Sequence, residues 1–588
     1  MVNPQQLRIP AAALFLLVSL CLSVRGQAES PARKNADEPA NGIITGKVVN
    51  ENGQPLSGAS VFVRSANVTT MGRTTSTDAE GNFRVGGLEP ALYNFVAMAP
   101  AYTSISSDLT APTYYRIGDS VQLAMVRGGA ITGTVTNGVG EPIVSARVRA
   151  TMIRDGRGQK PQIQSPSFNE QSTDDRGVYR IWGLAPGAYL VSAGGSTFFQ
   201  GFQFNPYDSD SPTYAPSSTR DNAAEVSVRG GEDTNVDIRY RGEPGYTISG
   251  TVKTEGMNGP TINLIPAGLT HVPVAITFQM PGSRGFAFNG VSDGTYDLVA
   301  QEIARTQSIV PPQVAFSEPK RVTVKGGNVT GIELSMKPLA SLSGRILLET
   351  SKIQECRGKR APLFAETLVK LQRPEKESEK DTSAYLRMFS SSASPDKEGT
   401  FLLRNLLPGR YQFEPRFYAR YWYLRSITMG AAAATGVKTQ PSNTKTDAAA
   451  NWTVVKPGEQ PPTLTITLAE GAASIRGKLT VAEGAVIQAG SLLYLVPSEP
   501  DKAEDVLRFF VTEIGADGSF ALNSLPPGKY WSLAQTTNED QIATLPKLRQ
   551  PESAAARTKL RRNAETQKSE VELKPCQNVS DYQLSLKN

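Results

Sequence analysis

From residue 42 onward the chain is built of short runs in which apolar and polar residues alternate, broken every few positions by Gly, Pro, Asn or Asp. Alternation with a period of two sends successive side chains to opposite faces, so each run predicts a half-buried strand and each break a turn. One order of strands and turns recurs five times. The copies open on Ile44-Thr-Gly-Lys-Val48, Ile131-Thr-Gly-Thr-Val135, Ile248-Ser-Gly-Thr-Val252, Leu342-Ser-Gly-Arg-Ile346 and Ile475-Arg-Gly-Lys-Leu479. The outer apolar residues share one face of a strand, and the central Gly leaves room for a bend or a close backbone approach. In the first two copies a Gly/Pro turn and a second strand follow, as in Asn52-Gly-Gln-Pro-Leu-Ser-Gly-Ala-Ser-Val-Phe-Val63.

Later in each unit comes a hairpin such as Thr77-Asp-Ala-Glu-Gly-Asn-Phe83, Thr173-Asp-Asp-Arg-Gly-Val-Tyr179, Asp396-Lys-Glu-Gly-Thr-Phe401 or Asp517-Gly-Ser-Phe520. There Asp bonds the turn backbone, Gly takes a positive φ, and the aromatic residue returns to the core. The third copy keeps only Ser283-Arg-Gly-Phe-Ala-Phe288. A corner ending in tyrosine comes next: Leu88-Glu-Pro-Ala-Leu-Tyr93, Leu184-Ala-Pro-Gly-Ala-Tyr189, Val291-Ser-Asp-Gly-Thr-Tyr296, Leu406-Leu-Pro-Gly-Arg-Tyr411 and Leu525-Pro-Pro-Gly-Lys-Tyr530. A buried ring whose hydroxyl bonds nearby backbone pins such a corner, so these tyrosines read as structural. Successive opening glycines lie 87 to 133 residues apart, the size of a two-sheet antiparallel sandwich with loop insertions. The expected organisation is all-β: sandwiches at 42–126, 127–242, 243–338, 339–470 with long insertions, and 471–588, after a signal peptide at 1–28 and a linker at 29–41.

The signal peptide rests on Ala11-Ala-Ala-Leu-Phe-Leu-Leu-Val-Ser-Leu-Cys-Leu22, an apolar core too short for a membrane span and followed by small residues suited to cleavage. No later apolar run is long enough to cross a bilayer, which predicts an exported chain, periplasmic or extracellular, with no transmembrane span after cleavage. Removal of the signal leaves Cys356 and Cys576 as a candidate disulfide in an oxidising compartment, although spacing alone does not bring their Cα atoms within reach.

Composition narrows the chemistry. The 588 residues are 39% hydrophobic and 20% charged, with 52 Gly and 40 Pro, which favours many turns and excludes a coiled coil. A net charge of +6 on so long a chain is too dilute to imply nucleic acid. With a single histidine, His271, zinc hydrolase sites and Ser-His or Cys-His nucleophile pairs, each of which needs imidazole at a defined place, are disfavoured. No phosphate loop, dinucleotide motif or paired-cysteine metal spacing is present, so no cofactor or metal is expected and no catalytic residue is assigned.

The order Ile-x-Gly-x-Val, Gly-x-Pro-Leu-x-Gly-Ala-x-Val, Thr-Asp-x-x-Gly-x-Phe and Gly-Leu-x-Pro-x-x-Tyr resembles the carboxypeptidase regulatory-like domain, a transthyretin-like sandwich. The first two units match nearly end to end, the fourth and fifth in their openings and corners, and the third loosely. The closer likeness is to multi-copy exported bacterial proteins. It implies a non-catalytic role in folding support, adhesion, or carbohydrate and cell-surface binding, and the lone histidine rules out the zinc site of the peptidases themselves.

Insertions on such scaffolds are the expected place for function. Phe198-Phe-Gln-Gly-Phe-Gln-Phe-Asn-Pro-Tyr207 in the second unit and Phe417-Tyr-Ala-Arg-Tyr-Trp-Tyr423 in the fourth are rich in aromatic residues. Phe202, Phe204, Tyr207, Phe417, Tyr418, Tyr421, Trp422 and Tyr423 are the candidate ligand-binding residues, because aromatic faces stack on sugars while neighbouring arginines bond hydroxyls or carboxylates. The competing reading is that aromatics alternating along a strand pack between the sheets. Lys547 to Arg562 is locally basic and predicts a short exposed helix. The expected function is a non-catalytic binding or scaffold protein of the cell envelope, with polysaccharide or a cell-surface protein as candidate partner. The alternatives are a carbohydrate-binding protein using the aromatic insertions and a hydrolase, or its accessory, that works with carboxylates alone.

Overall fold

The computed structural model describes residues 42–585 apart from 67–71, 105–112, 160, 162–168, 196–204, 255–258, 269–272, 280–281, 303–313, 379–391, 431–444, 457–460, 481–486, 489 and 537–544. The expected signal peptide and linker, Phe202, Phe204 and His271 lie outside the described residues.

The fold is all-β, a succession of two-layer sandwiches. Each opening strand sits between two neighbours. Ile44–Val49 pairs antiparallel with Asn82–Val85 and parallel with Ser120–Arg127, and Gly129–Thr136, Tyr246–Lys253, Ala340–Glu349 and Ala473–Thr480 are flanked in the same way. The second sheet of the first module orders Arg73–Ser76, Ser60–Ser65 and Tyr93–Met98, all antiparallel. In the third module the two sheets are joined into one of eight strands, because Ala315–Ser317 pairs with both Gly294–Gln301 and Val329–Pro338.

The sandwiches therefore depart from the antiparallel expectation by parallel pairing of the opening strand with the closing segment, in two short pieces, Asp233–Asn235 and Ile238–Arg239, in the second module, which hydrophobic alternation cannot reveal. That pairing has a consequence for assembly. A closing strand parallel to the opening one leaves the sandwich at the end opposite to chain entry, and the next sandwich starts there. The links are correspondingly short: Gly128 alone, Leu339 alone, and Gly471 with Ala472, while six residues, 240–245, connect the second and third modules.

The first apolar position of every opening strand lies at the centre of its core: Ile44, Ile131, Ile248, Leu342 and Ile475 are all 0% exposed. Burying one such side chain contributes roughly 1.5–3 kcal/mol. The central glycine is set by close approach. A Cβ on Gly250 would stand 2.0 Å from Ile332 O, and one on Gly344 would stand 2.2 Å from Cζ of Phe401, the aromatic that returns after the Asp-Gly hairpin. Each module has its own cluster of buried residues, and two clusters cross modules: Val506 and Leu507 of the fifth enter the core of the fourth, and Leu407 of the fourth joins Ile265 and Phe316 of the third.

Candidate functional site at the inter-module joints

The tyrosine corners are closed by a repeated bond. The hydroxyls of Tyr93, Tyr189, Tyr296, Tyr411 and Tyr530 donate to the carbonyls of Glu89, Ala185, Ser292, Leu407 and Pro526 at 2.7–3.0 Å. After each corner strand the chain makes a detour before the closing strand, and the aromatic insertions lie in that detour.

The candidate ligand-binding residues are placed as follows. Trp422 is 1% exposed, inside the fourth core, because it begins a strand whose alternation points it between the sheets. Its face is not open to a ligand. Phe417 and Tyr421 are half-buried against the same core. Tyr421 is bracketed by Lys359 Nζ at 4.6 Å and the Arg420 guanidinium at 5.8 Å from its ring centroid. Arg116 lies 4.5 Å over the Tyr418 ring. Tyr423 is half-buried, and burial raises its phenol pKa against the lowering influence of Arg425 and Arg508. Tyr207 packs on the second core and meets Tyr240 edge-on, centroids 5.4 Å apart. A sugar-stacking platform needs a free aromatic face, and three of these rings already carry a cation or another ring.

What the detours do is reach the joints. Gly128 N donates to Ala101 O at 2.9 Å, Gly245 N to Ser209 O at 2.9 Å, and Leu339 N to Val314 O at 3.0 Å. At the last joint Gly471 N and Ala472 N both donate to Tyr421 O, at 2.8 and 2.9 Å. At every joint, then, a link amide is held by a carbonyl from the detour of the preceding module. Side chains and close backbone contacts reinforce the braces. Arg149 donates to Val274 O at 2.6 Å across the second joint. A Cβ on Gly290 of the third module would stand 2.4 Å from Asp208 O of the second. Val314 N, beside the third joint, donates to Asn405 Oδ1 at 3.1 Å, over an apolar cluster that includes Ile265, Phe316, Leu339 and Leu407. Sequence reasoning missed these braces because they are backbone bonds, indifferent to side-chain type.

The joint between the fourth and fifth modules is the most heavily built. A disulfide joins Cys356 to Cys576, with Cα atoms 5.5 Å apart. Trp452 Nε1 donates to both carboxylate oxygens of Glu552, at 2.8 and 3.0 Å, and Arg410 lies 3.4 Å from the same carboxylate. Gln412 Nε2 donates to Arg549 O at 3.1 Å. A small cavity of about 20 Å3, the size of a water molecule, lies between Gln372, Gln412, Glu414, Leu507 and Arg549. Burial there lowers the pKa of the Arg549 guanidinium, opposed by the Glu414 and Asp505 carboxylates.

The basic segment, expected as an exposed helix, forms helices Leu545–Arg549 and Ala554–Gln567 that lie on the fifth sandwich. Arg557 is 7% exposed and donates to Leu548 O and Gln550 O. Arg561 donates to Pro497 O and Ser498 O and stacks on Trp531. These cations dock the helix instead of facing solvent. Among the described residues no helix is long and apolar enough to cross a membrane, and no group of three His, Cys, Asp or Glu is placed to hold a metal ion.

No curated protein matches the chain. Among solved structures, the TIE protein of Bacillus anthracis is 14% identical over 50% of this chain and 51% of its own, with a TM-score of 0.15, so the chain spans about half of that relative's length. The minor pilin GBS52 of Streptococcus agalactiae is 12% identical over 34% of this chain and 94% of its own, with a TM-score of 0.18. Two B repeat units of the collagen binding protein of Staphylococcus aureus are 10% identical over 73% of this chain and 99% of their own, with a TM-score of 0.12. At such values the likeness says nothing of what this chain binds. The family comparison is more definite, and it falls on the unit whose motifs are most complete: residues 43–119 match the model of the carboxypeptidase regulatory-like domain.

Proposed function

We propose that the chain is a non-catalytic, exported scaffold of the cell envelope: five sandwiches, at 42–126, 127–242, 243–338, 339–470 and 471–588, held at set angles by braced joints. The observation that carries this reading is the bonding of link amides Gly128, Gly245, Leu339, Gly471 and Ala472 to the detour of the module before. A flexible tether for independent binding modules needs no such bonds; a spacer that keeps its ends at a fixed separation does. Burial of Trp422 and the cations over Tyr418 and Tyr421 favour bracing over sugar stacking as the task of the fourth insertion. The Cys356–Cys576 bridge suits an oxidising compartment outside the cytoplasm.

The test is fractionation of cells that express the full chain with a C-terminal tag, followed by non-reducing electrophoresis. The expected result is recovery outside the cytoplasm with both cysteines refractory to alkylation until reduced, and no turnover of peptide or glycan pools by the purified chain. Cytoplasmic recovery with Cys356 and Cys576 as free thiols, or turnover abolished by substitution of a single carboxylate, contradicts the reading.

A further inference from the structure

We propose that the first module folds back on the fourth and covers its Tyr418 insertion as a detachable cap, a role that goes beyond the scaffold reading. Groups more than 300 residues apart in sequence meet there. Tyr418 Oη donates to Tyr114 O at 3.5 Å, and the Arg116 guanidinium lies 4.5 Å over the Tyr418 ring. Burial raises the pKa of the Tyr114 phenol, and Ser392, on the strand Ser392–Ala393 of the fourth module's other sheet, tempers that rise. Two separate segments of the fourth module thus receive one short segment of the first, the stretch leading into its closing strand Ser120–Arg127.

The composition of the contact makes it detachable. A donor–acceptor distance of 3.5 Å lies at the outer limit of a hydrogen bond. Arg116 Nε is buried in the closed state with no hydrogen-bond partner, which works against closure. Asp119 stays 3.5 Å from the same guanidinium, so Arg116 keeps a counter-ion when the cap lifts. None of Tyr114, Arg116, Tyr418 and Ser392 belongs to the buried core of its module, so opening leaves both sandwiches intact. What favours closure is position: the braces at the first three joints keep the two surfaces near each other, and the cap lifts by a small swing shared among those joints that leaves each link amide bonded. Lifting the cap frees the Tyr418 face, and since that face now holds a guanidinium, the partner it fits is a basic side chain presented by another protein.

The test uses the whole chain with the Cys356–Cys576 bridge intact and a dye pair on Glu80→Cys and Lys397→Cys, at exposed hairpin tips of the first and fourth modules. Energy transfer is expected to fall in Arg116→Ala and in Tyr418→Leu to the same value, and no further in the double variant, while the thermal unfolding profile of each variant stays that of the parent. Non-additivity separates loss of one shared contact from general damage. Transfer unchanged by both substitutions, or lowered additively by them, overturns the proposal.

Discussion

A tyrosine of the repeated corner does two things at once: its ring fills the core and its hydroxyl satisfies a carbonyl four residues back. Tyr530 is 0% exposed and bonds Pro526 O at 2.8 Å. Tyr530→Phe keeps the ring and orphans the carbonyl, so it is expected to cost about 1–2 kcal/mol, read as a lower unfolding midpoint in calorimetry. The same burial shapes the pH response. Desolvation raises the phenol pKa of Tyr189, Tyr296 and Tyr530 above the ordinary value near 10. A group whose folded pKa is raised contributes stability that is complete below its unfolded pKa and is lost as pH rises toward the folded value. The unfolding midpoint should therefore fall as pH climbs beyond about 10, before these phenols ionise in the folded chain. Acid acts through the hairpins. Bonds from the Arg176 side chain to Asp174 and from the Ser519 side chain to Asp517 hold those carboxyls below their usual range. Stability present above the unfolded carboxyl pKa is then lost as pH falls below about 4. A midpoint that is flat at both extremes would contradict both assignments.

At the scale of the element, the opening strand is where sequence and structure meet most closely. In the third module its glycine is fixed by the neighbouring closing strand, and Gly250→Ala would place a methyl 2.0 Å from Ile332 O. The parallel pair must part to admit it, at a cost of about 1–3 kcal/mol, measurable as a lowered midpoint for the third module. The strand that enters the corner carries a second recurrent device. Gly87, Gly183, Gly290, Asn405 and Ser524, each one residue before the Leu or Val of the corner, all have φ between +56° and +73°, and four of them sit at a register shift against the opening strand. Periodicity and turn chemistry made strands, hairpins and corners legible, because each leaves a residue-type signature every few positions. The parallel closing pair was not legible, since a strand's apolar face does not encode its direction. Trp422 shows the same limit: an aromatic run reads alike as ligand platform and as core until the second sheet is in place. The braced link amides left no signature, because amide and carbonyl are common to every residue; the Cys356–Cys576 pair was the one joint element that could be read as a candidate.

Across the whole molecule, the fourth and fifth modules are expected to behave as one unit. Val506 and Leu507 lie in the fourth core, Trp452 is tied to Glu552, and Cys356 is bonded to Cys576 across 220 residues of chain. Cys576→Ser is expected to remove roughly 2–4 kcal/mol from that unit and to split a shared calorimetric transition into two; a single unchanged transition would show that the bridge carries no load. The account as a whole stands on the rigidity of the joints, and amide hydrogen exchange of the full chain at neutral pH measures it directly. The amides of Gly128, Gly245, Leu339, Gly471 and Ala472 should exchange as slowly as those of the strands they connect. Exchange of those five at the rate of an unstructured peptide, with the strands still protected, would mean freely hinged sandwiches and would contradict the braced scaffold.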